Sequence, residues 1–207
     1  ALPTLKKLWS DNMAFSVDLL GEACLSDSEA QMYRDKYLDL IANLPGEVAT
    51  WAPNARLESD HLGAIPRTNV SIKISSLFAR TDPIDFAGSL NGLVDALTPI
   101  LVAAQKNGVF VNFDMEQFSL KDLTLELFMR CCEKVPFSAG IAMQSYLRSG
   151  EDDAQRIIDW SKKTGRVVTV RLVKGAYWDS QTIQSEQLGW TSPVWAVKRD
   201  TDACFER

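Results

Sequence analysis

The sequence holds a single histidine, His61, and its four cysteines, Cys24, Cys131, Cys132 and Cys204, include no C-x-x-C pair. A Ser-His-Asp triad or an imidazole metal centre would have to be built on that one ring, and neither a zinc knuckle nor a disulfide framework has the spacing it needs. Such cysteine usage points to a reducing compartment, so the expected location is the cytoplasm. Basic residues are short as well: 22 Lys and Arg stand against 27 Asp and Glu, a net charge of -5, which leaves no electrostatic footprint for a nucleic-acid partner. No run of 18 apolar residues occurs, and the longest greasy stretch, Leu97 to Ala104, is interrupted by Pro99, so a bilayer-spanning helix is not expected. The opening Ala-Leu-Pro-Thr-Leu-Lys-Lys reaches Asp11 before an apolar segment accumulates, unlike a secretory signal, and lacks an initiator Met, as a piece of something longer would. The phosphate-loop, dinucleotide-binding, zincin and nucleophile-elbow motifs are all missing.

What is present is a chain of ordinary globular composition, 207 residues with 46% hydrophobic and 24% charged, enough for one domain. Ser26-Asp-Ser-Glu29 forms a capping box that opens an amphipathic helix through Ala30, Tyr33, Tyr37, Leu40, Ile41 and Leu44, with Pro45-Gly46 as its expected stop. After a loop with Trp51, Pro53 and Pro66, the pattern changes to short β-like runs at Val70–Ser75, Val109–Asp114, Ile141–Gln144 and Val167–Val173. Helical stretches separate them: Pro83 to Asn107 before Gly108, a second from Ser119, a third from Ser149 to Gly165. Strict alternation of strand and helix reads as parallel βα units. Residues 1–68 then form an N-terminal arm and helix, and 69–207 the units themselves. Four units are half of a closed eight-unit barrel, which takes about 250 residues; a small doubly wound sheet is the competing architecture.

Side-chain parity along the four runs supplies the chemical clue. One face carries Val70, Ile72, Ile74, Val109, Val111, Phe113, Ile141, Met143, Val168, Val170 and Leu172. The other carries Ser71, Lys73, Ser75, Asn112, Asp114, Glu116, Ala142, Gln144, Tyr146, Thr169 and Arg171. Strands covered by helices on both faces read as nearly continuous apolar runs; these do not. Charges gather toward the C-terminal ends, where barrel active sites form, and a buried charge needs a partner, a ligand or water. Lys73 and Asp114 could simply pair across adjacent strands, Arg171 could do so with Glu116, Gln144 could be a satisfied core amide, and His61 a turn residue. Four strands with the same parity nevertheless point to a shared site for a small charged molecule. Tyr177 and Trp178, just past the last strand, suit a stacking platform, and Lys174-Gly175-Ala176 could bring backbone close to a phosphate. A lyase or aldolase using Lys73 or Lys174 as a Schiff base, and an interaction module without catalysis, are the alternatives.

Five segments in order carry a resemblance: Phe15-Ser-Val-Asp-Leu-Leu-Gly-Glu-Ala23, Asn69-Val-Ser-Ile-Lys-Ile-Ser75, Val111-Asn-Phe-Asp-Met-Glu-Gln117, Ala142-Met-Gln-Ser-Tyr-Leu-Arg148 and Val170-Arg-Leu-Val-Lys-Gly-Ala-Tyr-Trp-Asp179. They resemble the proline dehydrogenase family, most closely the proline dehydrogenase domain of bifunctional bacterial proline utilisation A flavoenzymes. The resemblance implies a distorted α/β (βα)8 TIM barrel, of which this chain carries the first four or so units. It further implies FAD, oxidation of L-proline to Δ1-pyrroline-5-carboxylate, and a membrane quinone as electron acceptor, with peripheral membrane association. By motif, Lys73 holds the substrate carboxylate, Asp114 sits in the proline pocket, Arg171 lies by the flavin N5 and Gln144 by its pyrimidine edge. Val173, Lys174, Gly175, Ala176, Tyr177 and Trp178 line the cofactor, and Glu22 is the gate carboxylate. The family's Tyr-x-x-Arg-Arg helix has no counterpart here, since no Arg-Arg pair exists in the chain. The expectation is therefore a fragment that binds FAD weakly or not at all, lacks the rest of the barrel and an aldehyde dehydrogenase domain, and self-associates through open sheet edges.

Overall fold

The computed structural model describes residues 1–21 and 23–207. Its elements run α1 (Leu2–Ser10), β1 (Val17–Asp18), α2 (Asp27–Ala49), β2 (Ser59–Asp60), β3 (Gly63–Ala64), β4 (Thr68–Ile72), α3 (Phe86–Lys106), β5 (Val109–Phe113), α4 (Lys121–Lys134), β6 (Ser138–Gln144), α5 (Gly150–Thr164), β7 (Thr169–Val173), α6 (Trp178–Leu188) and α7 (Lys198–Glu206). Five strands form one sheet in the order β1-β4-β5-β6-β7, every neighbouring pair parallel. Consecutive parallel strands need a crossover connection, and α3, α4 and α5 supply it. The architecture is thus an α/β fold, with helices packed on one face of a parallel sheet.

The apolar parity residues build the core on that face. Val70, Ile72, Val111, Phe113 and Ile141 are fully buried beneath α2, α3 and α4, and Phe113 meets Phe128 edge-on with ring centres 5.4 Å apart. Among the described residues α3 alone is long and apolar enough to cross a membrane by length and composition, which the sequence pattern did not anticipate. Its stripe of Leu90, Leu93, Leu97, Ile100, Leu101 and Ala104 is buried in this core, so it is a central helix of the layer. A second cluster, Trp9, Phe15, Leu44, Val48 and Trp51, fastens α1 to the end of α2.

Three expectations need correction. The helix does not stop at Pro45-Gly46 but runs on to Ala49. Val48, fully buried, continues the Tyr37–Ile41–Leu44 face against Trp9 and Trp51, and that burial outweighs the hydrogen bond lost at Pro45. The sheet does not begin at residue 69 either: Val17–Asp18 in the supposed arm pairs with Val70 and Ser71. Finally, β6 starts at Ser138 rather than Ile141. Ser138-Ala-Gly carries no strand propensity, but a Cβ on Gly140 would lie 2.6 Å from the Phe110 ring, so glycine is what lets that ring cover the strand. His61 sits, as expected, in the tight turn between β2 and β3.

Candidate active site

The register of the sheet assembles the polar face. Asp18 pairs with Ser71, Ser71 with Asn112, and Asn112 with Gly140, so their side chains share one side of the sheet. One layer further along, Ala142 pairs with Arg171, and Asp114 follows directly after the Phe113–Ile141 pair. The methyl of Ala142 leaves the space across which the Arg171 guanidinium reaches Asp114, two strands away.

Asp114 is the hub. Its Oδ1 accepts from Ser71 Oγ at 2.8 Å, from Asn112 Nδ2 at 3.2 Å and from Arg171 Nη2, while its Oδ2 accepts from Lys73 Nζ at 3.1 Å. Lys73 also donates to Asp18, which yields an alternating chain Asp18–Lys73–Asp114–Arg171 with no net charge. Burial works against the charge on Lys73, but hydrogen bonds to Asp18 and Asp114 outweigh it and hold the ammonium above the ordinary lysine range. The Tyr37 phenol, which donates to the Ser71 carbonyl at 3.2 Å, is pushed upward by burial and then by the negative charge of Asp18.

Beside this chain lies a cavity of about 320 Å³ lined by Cys24, Lys73, Ser75, Glu116, Gln117 and Tyr177. Glu116 accepts from both the backbone N–H and the hydroxyl of Ser75, rather than pairing with Arg171. Gln144, at the end of β6, donates weakly to the carbonyls of Met115 and Glu116 at 3.4 Å, and its buried Oε1 has no donor. A buried acceptor without a donor is costly, which leaves this atom open to a donor from outside the chain.

The structure thus brings Lys73, Asp114, Arg171 and Gln144 to one face, and the segment after β7 divides. Tyr177 faces the cavity and packs with Tyr146, Leu147 and Val194. Gly175, at φ +135°, lets the backbone pass so close to Tyr146 that a Cβ would sit 2.4 Å from its ring. The Val173 carbonyl accepts from Ser145 N–H at 2.9 Å, and Ala176 is exposed. Lys174 departs from the expected cofactor lining: its ammonium bonds Asp202 on α7 at 2.6 Å and stands over the Phe205 ring. Trp178, half-exposed, donates its indole N–H to the Trp195 carbonyl at 2.8 Å. The proposed gate, Glu22, lies outside the described residues. Asp18 was missed by the sequence reading, because a two-residue strand offers no alternation; its one signal was the Asp in Phe-Ser-Val-Asp. Among the described residues no cluster of His, Cys, Asp and Glu suits a metal ion, and all four cysteines are buried free thiols.

A parallel α/β domain with cation–carboxylate pairs at the C-terminal ends of its strands is the class this geometry defines. The whole chain, residues 1–207, matches the family model for proline dehydrogenase, and it belongs to that family. It is 28% identical over 210 residues to a bifunctional protein PutA of Klebsiella aerogenes, covering 99% of this chain and 15% of that protein. It is 30% identical over 186 residues to a proline dehydrogenase of Deinococcus radiodurans, covering 88% of this chain and 51% of the relative. The crystal structure of proline utilization A from Bdellovibrio bacteriovorus inactivated by N-propargylglycine superposes with a TM-score of 0.95 at 42% identity, over all of this chain and 22% of that one. The chain therefore spans between about one seventh and one half of the curated relatives it matches.

Proposed function

We propose that this chain supplies the first βα units of a (βα)8 barrel that oxidises L-proline to Δ1-pyrroline-5-carboxylate with FAD, the first step of proline catabolism. The observation that carries this reading is the convergence of Lys73, Asp114 and Arg171 on one sheet face beside the unpartnered Gln144 acceptor, in a chain of the proline dehydrogenase family.

The residues suit a flavin. Gln144 Oε1 can accept the N–H of the isoalloxazine pyrimidine ring, and Arg171, half-exposed on the same face, offers positive charge to an electron-accepting ring system. Val173, Gly175, Ala176 and Tyr177 would border it, with Lys174 contributing backbone alone, since its ammonium is engaged elsewhere. When bound, a flavin would supply a two-electron acceptor for the hydride of proline, with a membrane quinone as the eventual oxidant. The protein's own part is electrostatic and positional. Lys73 presents a fixed cation to the proline carboxylate, a counter-charge worth more in a partly desolvated cavity than in water. Asp114 fixes both Lys73 and Arg171 and so sets the distance between the substrate anchor and the flavin cation. Preorganised charge of this kind lowers a barrier without reorganising during reaction.

The rest of the reading concerns the full-length protein: a cytoplasmic enzyme with peripheral membrane association, an aldehyde dehydrogenase domain on the same chain, and homo-oligomeric contacts. The bifunctional relatives support a further domain on the same chain. The Schiff-base alternative fits less well, because a nucleophilic lysine must shed its proton near neutral pH. Lys73 and Lys174 are both shifted the other way: Lys73 by carboxylate hydrogen bonds that outweigh burial, Lys174 chiefly by Asp202.

The test is made on the full-length protein, and on this chain with the C-terminal part of the barrel supplied in trans. Visible flavin absorbance and proline-dependent dye reduction are expected, with Lys73→Met raising KM for proline and Arg171→Met lowering flavin reduction. A colourless protein inert toward proline with the barrel complete would defeat the proposal and leave a non-catalytic module.

A further inference from the structure

An ammonium has three donors, and two of those on Lys73 go to carboxylates on different strands, Asp18 on β1 and Asp114 beyond β5, the latter at 3.1 Å. Asp18 reaches it because the register places Asp18 opposite Ser71, two residues before Lys73, so both side chains leave the sheet on the same face. The core does not require an acid there. β1 is an edge strand, Asp18 is 40% exposed, and its neighbours Val17 and Leu19 already provide the apolar anchors. Nor does Lys73 need a second carboxylate merely to avoid being an unpaired charge, since Asp114 serves that purpose.

We infer that Asp18 is a positioning residue: with Asp114 it grips the Lys73 ammonium from two strands and leaves the third donor for a carboxylate in the cavity shared with Ser75, Glu116 and Tyr177. This rests on the proline-oxidising reading, in which that carboxylate belongs to the substrate. Fixing two donors removes the rotational freedom of a long side chain before the ligand arrives, the usual benefit of preorganisation. The charged and titratable groups around the ammonium are Asp18, Asp114, Arg171 behind Asp114, Tyr37 of α2 bound to the Ser71 carbonyl, and Cys24, Glu116 and Tyr177 lining the same cavity. Of these, Asp18 and Asp114 are the two that touch Lys73 and keep it protonated.

The experiment is a pH titration of ligand affinity in the full-length flavoprotein. The probe is tetrahydrofuran-2-carboxylate, proline with its ring nitrogen replaced by oxygen, so that the only anchoring charge is the carboxylate; binding is followed by the flavin difference spectrum. Asp18→Asn should move the alkaline limb down by about one pH unit, the effect of losing one close opposite charge, whereas Asp18→Glu should leave it where wild type has it. A limb in Asp18→Asn that coincides with wild type overturns the inference. Amine labelling at Lys73, read by mass spectrometry on protein stripped of flavin, gives a second reading: the pH midpoint of labelling falls in Asp18→Asn, and an unmoved midpoint overturns it equally. Lys73→Met separates the two levels. Undiminished carboxylate binding in that variant removes the role of Lys73 and the Asp18 inference with it; weakened binding together with an unmoved Asp18→Asn limb defeats the Asp18 inference alone.

Discussion

β5 and β7 carry the same alternation, Val-Phe-Val-Asn-Phe and Thr-Val-Arg-Leu-Val, yet they occupy opposite environments. In β5 the outward residues Val109, Val111 and Phe113 are at most 1% exposed, while in β7 Val170 and Leu172 remain 43% and 41% exposed. The difference lies in their neighbours. β5 has a strand on either side and α3 and α4 above it, whereas β7 is an edge strand in this chain. Period-2 patterning therefore specifies which face a side chain takes, and the surrounding elements specify how much water that face loses.

The largest expected effect tests this directly. Phe113→Ala should cost about 3–5 kcal/mol, because it opens a cavity between Phe128 and Phe137. Leu172→Ala in this chain should cost about 1 kcal/mol, in proportion to the smaller area it buries. Denaturant titration of both variants decides, and equal losses would break the comparison. Repeating Leu172→Ala in the full-length protein sharpens it: a cost of roughly 2–5 kcal/mol there means that other elements cover the outer face of β7.

The same contrast holds for ion pairs. Lys121 is buried, held by Asp153 at 2.7 Å and Asp122 at 2.8 Å, with Ser149 Oγ also donating to Asp153. Lys121→Met leaves the Asp153 carboxylate buried with Ser149 alone and should cost about 3–5 kcal/mol. Lys174→Met, which removes an exposed pair with Asp202, should leave Tm unchanged within error.

A smaller effect follows from the thiols and lysines of the sealed region. Burial pushes Cys131 up to about 12 and Cys132 up to about 11, and carboxylate bonds hold Lys121 above its usual range against the opposing effect of burial. A group that keeps its proton longer when folded stabilises the fold below its unfolded pKa and loses that contribution as pH rises through its folded one. Stability should therefore fall above the ordinary thiol pKa of about 8.5, with Tm dropping by roughly 5 °C or more between pH 8 and 10. Cys131→Ala/Cys132→Ala should flatten that slope. Native thiols should also resist alkylation until the chain unfolds.

A small stability change is also expected at Gln144→Leu. It replaces an amide with two 3.4 Å bonds and an unpartnered oxygen, so stability should change by no more than about 1 kcal/mol. Flavin retention in the full-length protein should fall clearly. Loss of stability with retained flavin would mark Gln144 as a core amide.

Much of the site was legible because parity is a local property: Ser71, Lys73, Asn112, Asp114, Gln144 and Arg171 all take the face their alternation assigns. What was not legible depends on partners distant in sequence. Asp18 belongs to a strand two residues long that exists through its pairing with β4. Lys174 follows its strand in sequence, but its ammonium is engaged by Asp202 of α7, 28 residues on. The helix through Pro45 is likewise set by Trp9 and Trp51, which local propensity does not see.

The charge chain also has a temporal order. During synthesis from the N-terminus, Asp18, Lys73 and Asp114 emerge one after another with their strands, and the guanidinium of Arg171 comes last, 57 residues after the carboxylate it joins. A nascent chain thus passes through a stage in which Asp114 has Lys73 as its cation, and arrival of β7 adds the Arg171 guanidinium to the ionic sequence. Arg171 is in that sense a latch that ties β7 across β6 to the carboxylate that follows β5.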